Sequence, residues 1–81
     1  MTHIATIRKN AREDLRVTLD EFRGHHLLNL RVWFEADDNE QRPGKQGVAI
    51  RLDLLPHLRQ ALSEAEHEAR KLGLLNKGEA S

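Results

Sequence analysis

Apolar and polar residues alternate in two neighbouring segments of the chain, residues 15–20 and 27–35. A period of two residues is typical of a β-strand that buries one face. The second segment carries large apolar side chains on both faces, which predicts a central strand. Between the two segments, Arg23-Gly24 predicts a turn, because glycine tolerates a positive φ. In the first segment the apolar face is formed by Leu15, Val17 and Leu19.

The flanking segments predict two shorter strands and two polar connections. Residues 3–7 alternate enough to form a short edge strand, and residues 8–14 are polar and predict a loop. Residues 36–44 are rich in Asp, Asn, Pro and Gly, which predicts a turn region. Residues 42–47 then lead into an alternating strand over residues 48–52.

The last part of the chain predicts one helix. Asp53 is a good N-cap residue, Pro56 falls in the first turn, and the helix is expected to run to about Leu72. Gly73 followed by Leu74 predicts a left-handed C-cap. The apolar stripe of this helix is formed by Leu55, Leu58, Leu62, Ala65, Ala69 and Leu72. We therefore expect an α+β domain over residues 1–75 and a disordered tail over residues 76–81.

Composition limits the class of protein. A chain of 81 residues forms one domain at most, and its small core predicts extra stabilisation by oligomerisation, since there is no cysteine. Thirteen basic and thirteen acidic residues cancel, which argues against a strongly basic nucleic-acid binder. No apolar run approaches the roughly 20 residues of a membrane span. We expect a cytoplasmic protein with no membrane partner.

The aromatic residues give the first functional hypothesis. All three of them, Phe22, Trp33 and Phe34, lie in the central sheet segment. Aromatic rings beside cations suit unpaired nucleobases, because the rings stack on bases and the cations follow phosphates. The neighbouring cations are Arg23, Arg31, Arg42 and Lys45. An ordinary amphipathic hairpin whose aromatic rings fill a core explains the same residues, and the pattern alone leaves both interpretations open.

Enzyme chemistry finds little support. The five histidines have no cysteine partner and no HExxH arrangement. His25 and His26 are adjacent, so on a strand they would point to opposite faces and could not chelate one ion together. We predict no catalytic residues, no metal site and no cofactor.

Three motifs carry a family resemblance. They are Glu21-Phe22-Arg23-Gly24, then Leu28-x-Leu30-Arg31-x-Trp33-Phe34, and then Arg42-Pro43-Gly44-Lys45-x-Gly47-Val48-x-Ile50. Together they resemble the positive cofactor four family of transcriptional coactivators, over about residues 15–72. The resemblance implies a four-stranded curved antiparallel sheet followed by one C-terminal helix, assembled as a homodimer.

The resemblance also implies a function. Members of this family bind single-stranded DNA, or the unpaired strands of melted duplex, with little sequence preference. The stacking rings would be Phe22 and Phe34, with Trp33 as the alternative if the register differs. The residues facing phosphates would be Arg23, His25, Arg31, Arg42 and Lys45. The expected setting is transcription, replication or repair, nucleoid-associated in a prokaryote, with binding of RNA left open.

This chain departs from the family pattern at three positions. Asp20 and Gln46 stand where basic residues are common, and His25 replaces an expected lysine. These changes lower the local positive charge, so we expect weaker and more salt-sensitive binding. The alternative is a protein–protein interaction module of the transcription or repair machinery that binds no nucleic acid, which the net neutrality of the chain favours.

Overall fold

The alternating segments form four antiparallel strands that lie side by side in chain order. The computed structural model describes residues 1–75, so the predicted disordered tail lies outside the described residues. The strands are β1 (Thr2–Arg8), β2 (Glu13–Phe22), β3 (His25–Glu35) and β4 (Gln41–Arg51). A short 3₁₀ turn, Leu52–Leu54, leads into one helix, α1 (Leu55–Lys71). The predicted fold class, a four-stranded antiparallel sheet followed by a C-terminal helix, is confirmed.

The connection between β2 and β3 is a two-residue turn, as predicted. Arg23 and Gly24 both have positive φ, 52° and 81°, while Phe22 and His25 on either side of them are paired across the strands. Two consecutive residues of positive φ are required by the tight hairpin turns that match the twist of the sheet. This hairpin fixes the register of β2 on β3 without a bulge.

The predicted boundary of the fourth strand is wrong. The turn covers only residues 36–40, and β4 begins at Gln41 instead of near Val48. Pairing slips within β4: Arg31 pairs with Gly47, but Trp33 pairs with Pro43. The residues between them bulge out opposite a single residue of β3. Because β4 is an edge strand, proline and a bulge are tolerated there.

The pleat of the sheet separates two faces. We call the side of β2 and β3 that carries Arg16 and Arg31 the polar face. Its members on these two strands are Asp14, Arg16, Thr18, Asp20, Phe22, His25, Leu27, Asn29, Arg31 and Trp33. The other side, which we call the apolar face, turns toward α1. Its members on these strands include Leu15, Val17, Leu19, Leu28, Leu30, Val32 and Phe34.

The helix does not begin as the sequence predicted. Asp53 lies in the 3₁₀ turn and pairs with Arg51 at 3.3 Å, and α1 starts after Leu54 without a side-chain cap. Pro56 lies in the first turn, as expected. The end of α1 is a Schellman-type cap, because Gly73 has φ 76° and its N–H donates to the Arg70 carbonyl. The predicted C-cap is confirmed.

The apolar face is only partly covered by α1. A cleft of about 570 Å³ remains between the sheet and the helix. In residues 1–75, Leu28 is the one apolar side chain that is buried, at 4% exposure, whereas Leu62 is 58% exposed. The lining residues are Ile4, Val17, Leu19, Leu28, Leu30, Leu55, Pro56, Leu58, Arg59 and Leu62. One copy of the chain therefore leaves much of its apolar surface in contact with water.

The loop between β1 and β2 is held by side-chain hydrogen bonds. Asn10 accepts from the backbone N–H groups of Arg12 and Glu13 and donates its amide to the Glu13 carboxylate at 2.7 Å. This hydrogen bond, together with one from Lys9, holds the pKa of Glu13 below its ordinary value.

In the part of the chain that the structure describes, no helix is long and apolar enough to cross a membrane.

Candidate nucleic-acid interface

The turn between β2 and β3 presents an aromatic ring, a guanidinium group and an imidazole ring to solvent. Phe22 is 60% exposed, and the guanidinium carbon of Arg23 lies 5.1 Å from the centroid of its ring. His25 is also exposed. Neither Arg23 nor His25 forms an ion pair with another residue of 1–75. The turn thus holds an accessible stacking surface beside charge that no carboxylate neutralises.

Trp33 lies at the other end of β3, on the polar face. The guanidinium carbon of Arg16 lies 4.2 Å from the centroid of its ring. The indole is half-buried, and the guanidinium of Arg16 covers one of its faces. Such an arrangement is attractive because the ring face carries negative potential. Arg23 also lies over the Phe22 ring, but Phe22 is exposed whereas Trp33 is half-buried, so Trp33 is the less accessible of the two rings.

Phe34 points to the opposite side of the sheet from Trp33, because successive residues of a strand alternate. It is 38% exposed, and its ring lies beside Gly44 of β4. A Cβ added to Gly44 would stand 3.6 Å from the ring and only 2.9 Å from the backbone oxygen of Val32. Glycine at this position lets the bulged strand approach β3 and the Phe34 ring closely.

Arg31 lies across the bulge of β4. Its Nη1 donates a hydrogen bond to the carbonyl oxygen of Gly44 at 3.0 Å. A Cβ added to Gly47 would stand 3.0 Å from the guanidinium carbon and 2.8 Å from the Leu30 carbonyl oxygen. The two glycines of the Pro-Gly-Lys-x-Gly motif thus have separate roles. Gly44 lets β4 approach the Val32 carbonyl oxygen. Gly47 lets it approach the Leu30 carbonyl oxygen and the Arg31 guanidinium.

The two remaining predicted cations differ in their surroundings. Arg42 pairs with Asp38 of the preceding turn and lies 3.7 Å from the Glu40 carboxylate. Its charge is therefore neutralised within the chain. Lys45, in the bulge, is exposed and has no ion-pair partner among the described residues.

The acids of the polar face are also occupied. Asp14 is buried and pairs with Arg8 at 2.9 Å. One carboxylate oxygen of Asp20 accepts hydrogen bonds from Thr18 and Asn29, both at 3.2 Å. The departure from the family pattern at Asp20 therefore adds an anion whose hydrogen bonds are satisfied by its neighbours.

The structure brings the predicted site residues into two groups at the ends of β3. Nine residue steps separate His25 from Phe34, which corresponds to about 30 Å along an extended strand. The first group is Phe22, Arg23 and His25, and the second is Trp33, Phe34, Arg42 and Lys45. Arg31 lies between the groups. Within one chain, Phe22 and Phe34 belong to opposite faces of the sheet.

Arg16 is a polar-face cation that the sequence pattern did not single out. It lies directly opposite Arg31 in the register of β2 and β3, and its guanidinium contacts the Trp33 ring. The alternation of residues 15–20 leaves Arg16 on the side away from Leu15 and Val17, but the register that sets it across from Arg31 depends on the two-residue turn.

Comparison with known proteins agrees with this fold. The family model described as Transcriptional Coactivator p15 (PC4) matches residues 9–61. A crystal structure of a PC4 homolog from Burkholderia pseudomallei is 30% identical, with a TM-score of 0.76, over 83% of this chain and 90% of that one. A bacteriophage T5 homolog of the eukaryotic coactivator PC4, implicated in recombination-dependent DNA replication, is 29% identical. Its TM-score is 0.59, over 89% of this chain and 90% of that one. The chain therefore belongs to the positive cofactor four (PC4) family of transcriptional coactivators.

Proposed function

We propose that this protein is a non-catalytic, homodimeric binder of single-stranded DNA that acts on unpaired strands without sequence preference. The observation that carries the proposal is the exposed Phe22 ring at the β2–β3 turn, with Arg23 over it and no carboxylate partner for that cation within residues 1–75. An exposed ring beside a cation is the arrangement that suits an unpaired base, because the base stacks on the ring while the cation meets its phosphate.

Stacking and charge would contribute in different ways. Stacking of a base on an aromatic side chain contributes about 1–3 kcal/mol and tolerates any base, because every base has a π-face. Phosphate contacts release counterions, so binding weakens as salt rises. Arg23, Arg31 and Lys45, which have no carboxylate partner within residues 1–75, supply such contacts in this proposal, together with His25. Phe34 is the second stacking ring in this proposal, because it is exposed whereas Trp33 is half-buried.

The dimer is supported by the open apolar face. A chain of 81 residues gains little from its own core, and here the cleft between the sheet and α1 is exposed. A second copy would cover Leu62 and its neighbours and would place two polar faces in one particle. In the dimer a single strand could meet rings from both copies, which offsets the separation of Phe22 and Phe34 within one chain.

The test is binding of a fluorescent mixed-sequence oligonucleotide, single-stranded and duplex, by wild type and by Phe22→Ala. We expect tight binding of the single strand, weak binding of the duplex, and a substantial loss in the variant. An RNA oligonucleotide of the same sequence tests whether RNA competes. The proposal locates the protein in the cytoplasm, associated with the nucleoid if its source is a prokaryote, where it would serve transcription, replication or repair.

The alternative, a protein-interaction module, is favoured by one observation: Asp38 and Glu40 neutralise Arg42, in a chain of zero net charge. The same titration separates the two. No binding of the single strand even at low salt would reject the DNA-binding proposal in favour of a protein partner.

A further inference from the structure

Arg16 and Arg31 face each other directly on adjacent strands of the polar face. Like charges at directly opposed positions of an antiparallel pair are destabilising. Neither guanidinium has a carboxylate within ion-pair distance among residues 1–75. The free protein therefore carries two opposed like charges that no carboxylate of residues 1–75 neutralises.

The nearby acids do not serve these arginines. Asp14, two residues before Arg16 on the same face, pairs with Arg8 instead. Asp20 accepts from Thr18 and Asn29. Both carboxylates that could have neutralised the pair are held by other groups.

The two arginine side chains rest against different neighbours, and neither Nη atom of Arg16 nor Nη2 of Arg31 forms a side-chain hydrogen bond within residues 1–75. Arg31 leans over Gly47 and uses Nη1 on the Gly44 carbonyl. Arg16 leans over Trp33, and its Nε is buried without a hydrogen-bond partner in the described part of the chain. A guanidinium presents five N–H donors in a planar fork that suits a phosphate group.

From this arrangement we infer that Arg16 is a phosphate-binding residue that works together with Arg31 at the middle of the polar face. The ligand is the phosphodiester backbone of a nucleic acid strand that lies along β3 between the Phe22 turn and the Trp33 end. A backbone phosphate supplies the missing negative charge, and the indole of Trp33 keeps the Arg16 guanidinium in place for it. This inference rests on the proposed single-stranded DNA binding and adds a residue to that site.

The test compares the salt dependence of single-stranded DNA binding in wild type, Arg16→Gln and a charge-matched control, Lys71→Gln. Lys71 lies in the last turn of α1, outside the sheet. For single strands, each phosphate contact contributes about 0.7 to the slope of log K against log salt. Arg16→Gln should lower that slope by about 0.7 and weaken binding about tenfold at low salt. Lys71→Gln should leave the slope unchanged.

Thermal unfolding of the free variants separates a binding role from a structural one. Removal of one of two opposed like charges should leave the midpoint of Arg16→Gln at or above that of wild type. A lower midpoint with an unchanged salt slope would mean that Arg16 only supports Trp33, and would overturn the inference. If Arg16→Gln binds single-stranded DNA with the affinity and the salt slope of wild type, the inference is overturned as well.

A second variant keeps the test decisive if Arg16→Gln does not fold. Arg16→Lys retains the charge but lacks the planar fork, so it should keep most of the salt slope and lose several-fold in affinity. Wild-type affinity in Arg16→Lys would contradict the role of the guanidinium. Failure of wild type itself to bind the single strand would reject the proposed function, which is a distinct result.

Discussion

Arg31 reaches across the sheet and donates a hydrogen bond at 3.0 Å to the carbonyl oxygen of Gly44, inside the bulge of β4. The contact joins the central strand to the edge strand where their register slips. It also fixes a guanidinium near the middle of the polar face. The glycine-rich motif of β4 is therefore part of the site, because it positions Arg31.

Replacing Gly47 with alanine should disturb this contact. The added Cβ would stand 2.8 Å from the Leu30 carbonyl oxygen, a backbone atom that cannot easily move, and 3.0 Å from the Arg31 guanidinium carbon. We expect Gly47→Ala to lower the free energy of unfolding by about 1–3 kcal/mol and to weaken DNA binding. Urea denaturation measures the first effect, with Gln46→Ala in the same bulge as the control. Equal stability of the two variants would contradict this account of the motif.

The ring of Phe22 should matter for binding and little for stability. Because it is 60% exposed, its removal leaves no cavity. We expect Phe22→Ala to weaken single-stranded DNA binding by about 1–3 kcal/mol per lost stacking contact. Leu72→Ala, which removes a similarly exposed apolar side chain at the end of α1, is the control. If both variants bind like wild type in anisotropy titrations, Phe22 does not stack on bases.

The acidic turn before β4 should reduce DNA affinity by occupying Arg42. Asp38→Asn frees this guanidinium from its closest partner, so we expect tighter binding and a slightly steeper salt dependence. Asp37→Asn makes the same change of charge in the same turn, but Asp37 does not pair with Arg42. The two variants should therefore differ. Equal gains in affinity would show a general charge effect instead of release of Arg42.

The apolar cleft should close by dimerisation. Leu62 lines the cleft and is 58% exposed in one copy, so a charge placed there would be buried unpaired in a dimer. We expect Leu62→Glu to abolish dimerisation or folding, as judged by light scattering and circular dichroism. The adjacent Ser63→Glu, which lies outside the lining of the cleft, should remain a dimer. A folded, dimeric Leu62→Glu would remove this face from the interface.

The β1–β2 loop should make stability depend on acid pH. Hydrogen bonds from Asn10 and Lys9 lower the pKa of Glu13 in the folded chain. A lowered pKa contributes stability that is present above the unfolded-state pKa and is lost as pH falls through the folded-state pKa. Wild type should therefore lose stability faster than Glu13→Gln on acidification from about pH 5 to 3, in thermal scans. If the stability of both proteins falls in parallel with pH, the hydrogen bonds to the Glu13 carboxylate do not contribute.

Alternation predicted β2 well because one of its faces is apolar, and large apolar side chains on both faces predicted β3 as a central strand. The start of β4 was missed because Pro43 and Gly44 are typical of turns, while here they occupy an edge strand with a bulge. Asp53 failed as an N-cap because a 3₁₀ turn intervenes and its carboxylate pairs with Arg51. The first of these outcomes depends on pairing with β3, which local sequence does not reveal, whereas the second lies within a few residues of Asp53.

The candidate site was predictable in its residue types but not in its arrangement. The sequence placed the aromatic residues and cations in one segment, and left open whether Trp33 or Phe34 faces a ligand. The register of β2 and β3 assigns each ring to a face of the sheet. Trp33 lies on the polar face beneath Arg16, and Phe34 lies on the apolar face beside Gly44. The role of Arg16 depends on its partner across the strands, which no single segment reveals.

The most direct test of the central claim is a fluorescence anisotropy titration of a labelled mixed-sequence single strand, beside its duplex, at low and moderate salt. The account predicts tight binding of the single strand, much weaker binding of the duplex and a clear loss of affinity as salt rises. No binding of the single strand at low salt, or equal binding of strand and duplex, would contradict it.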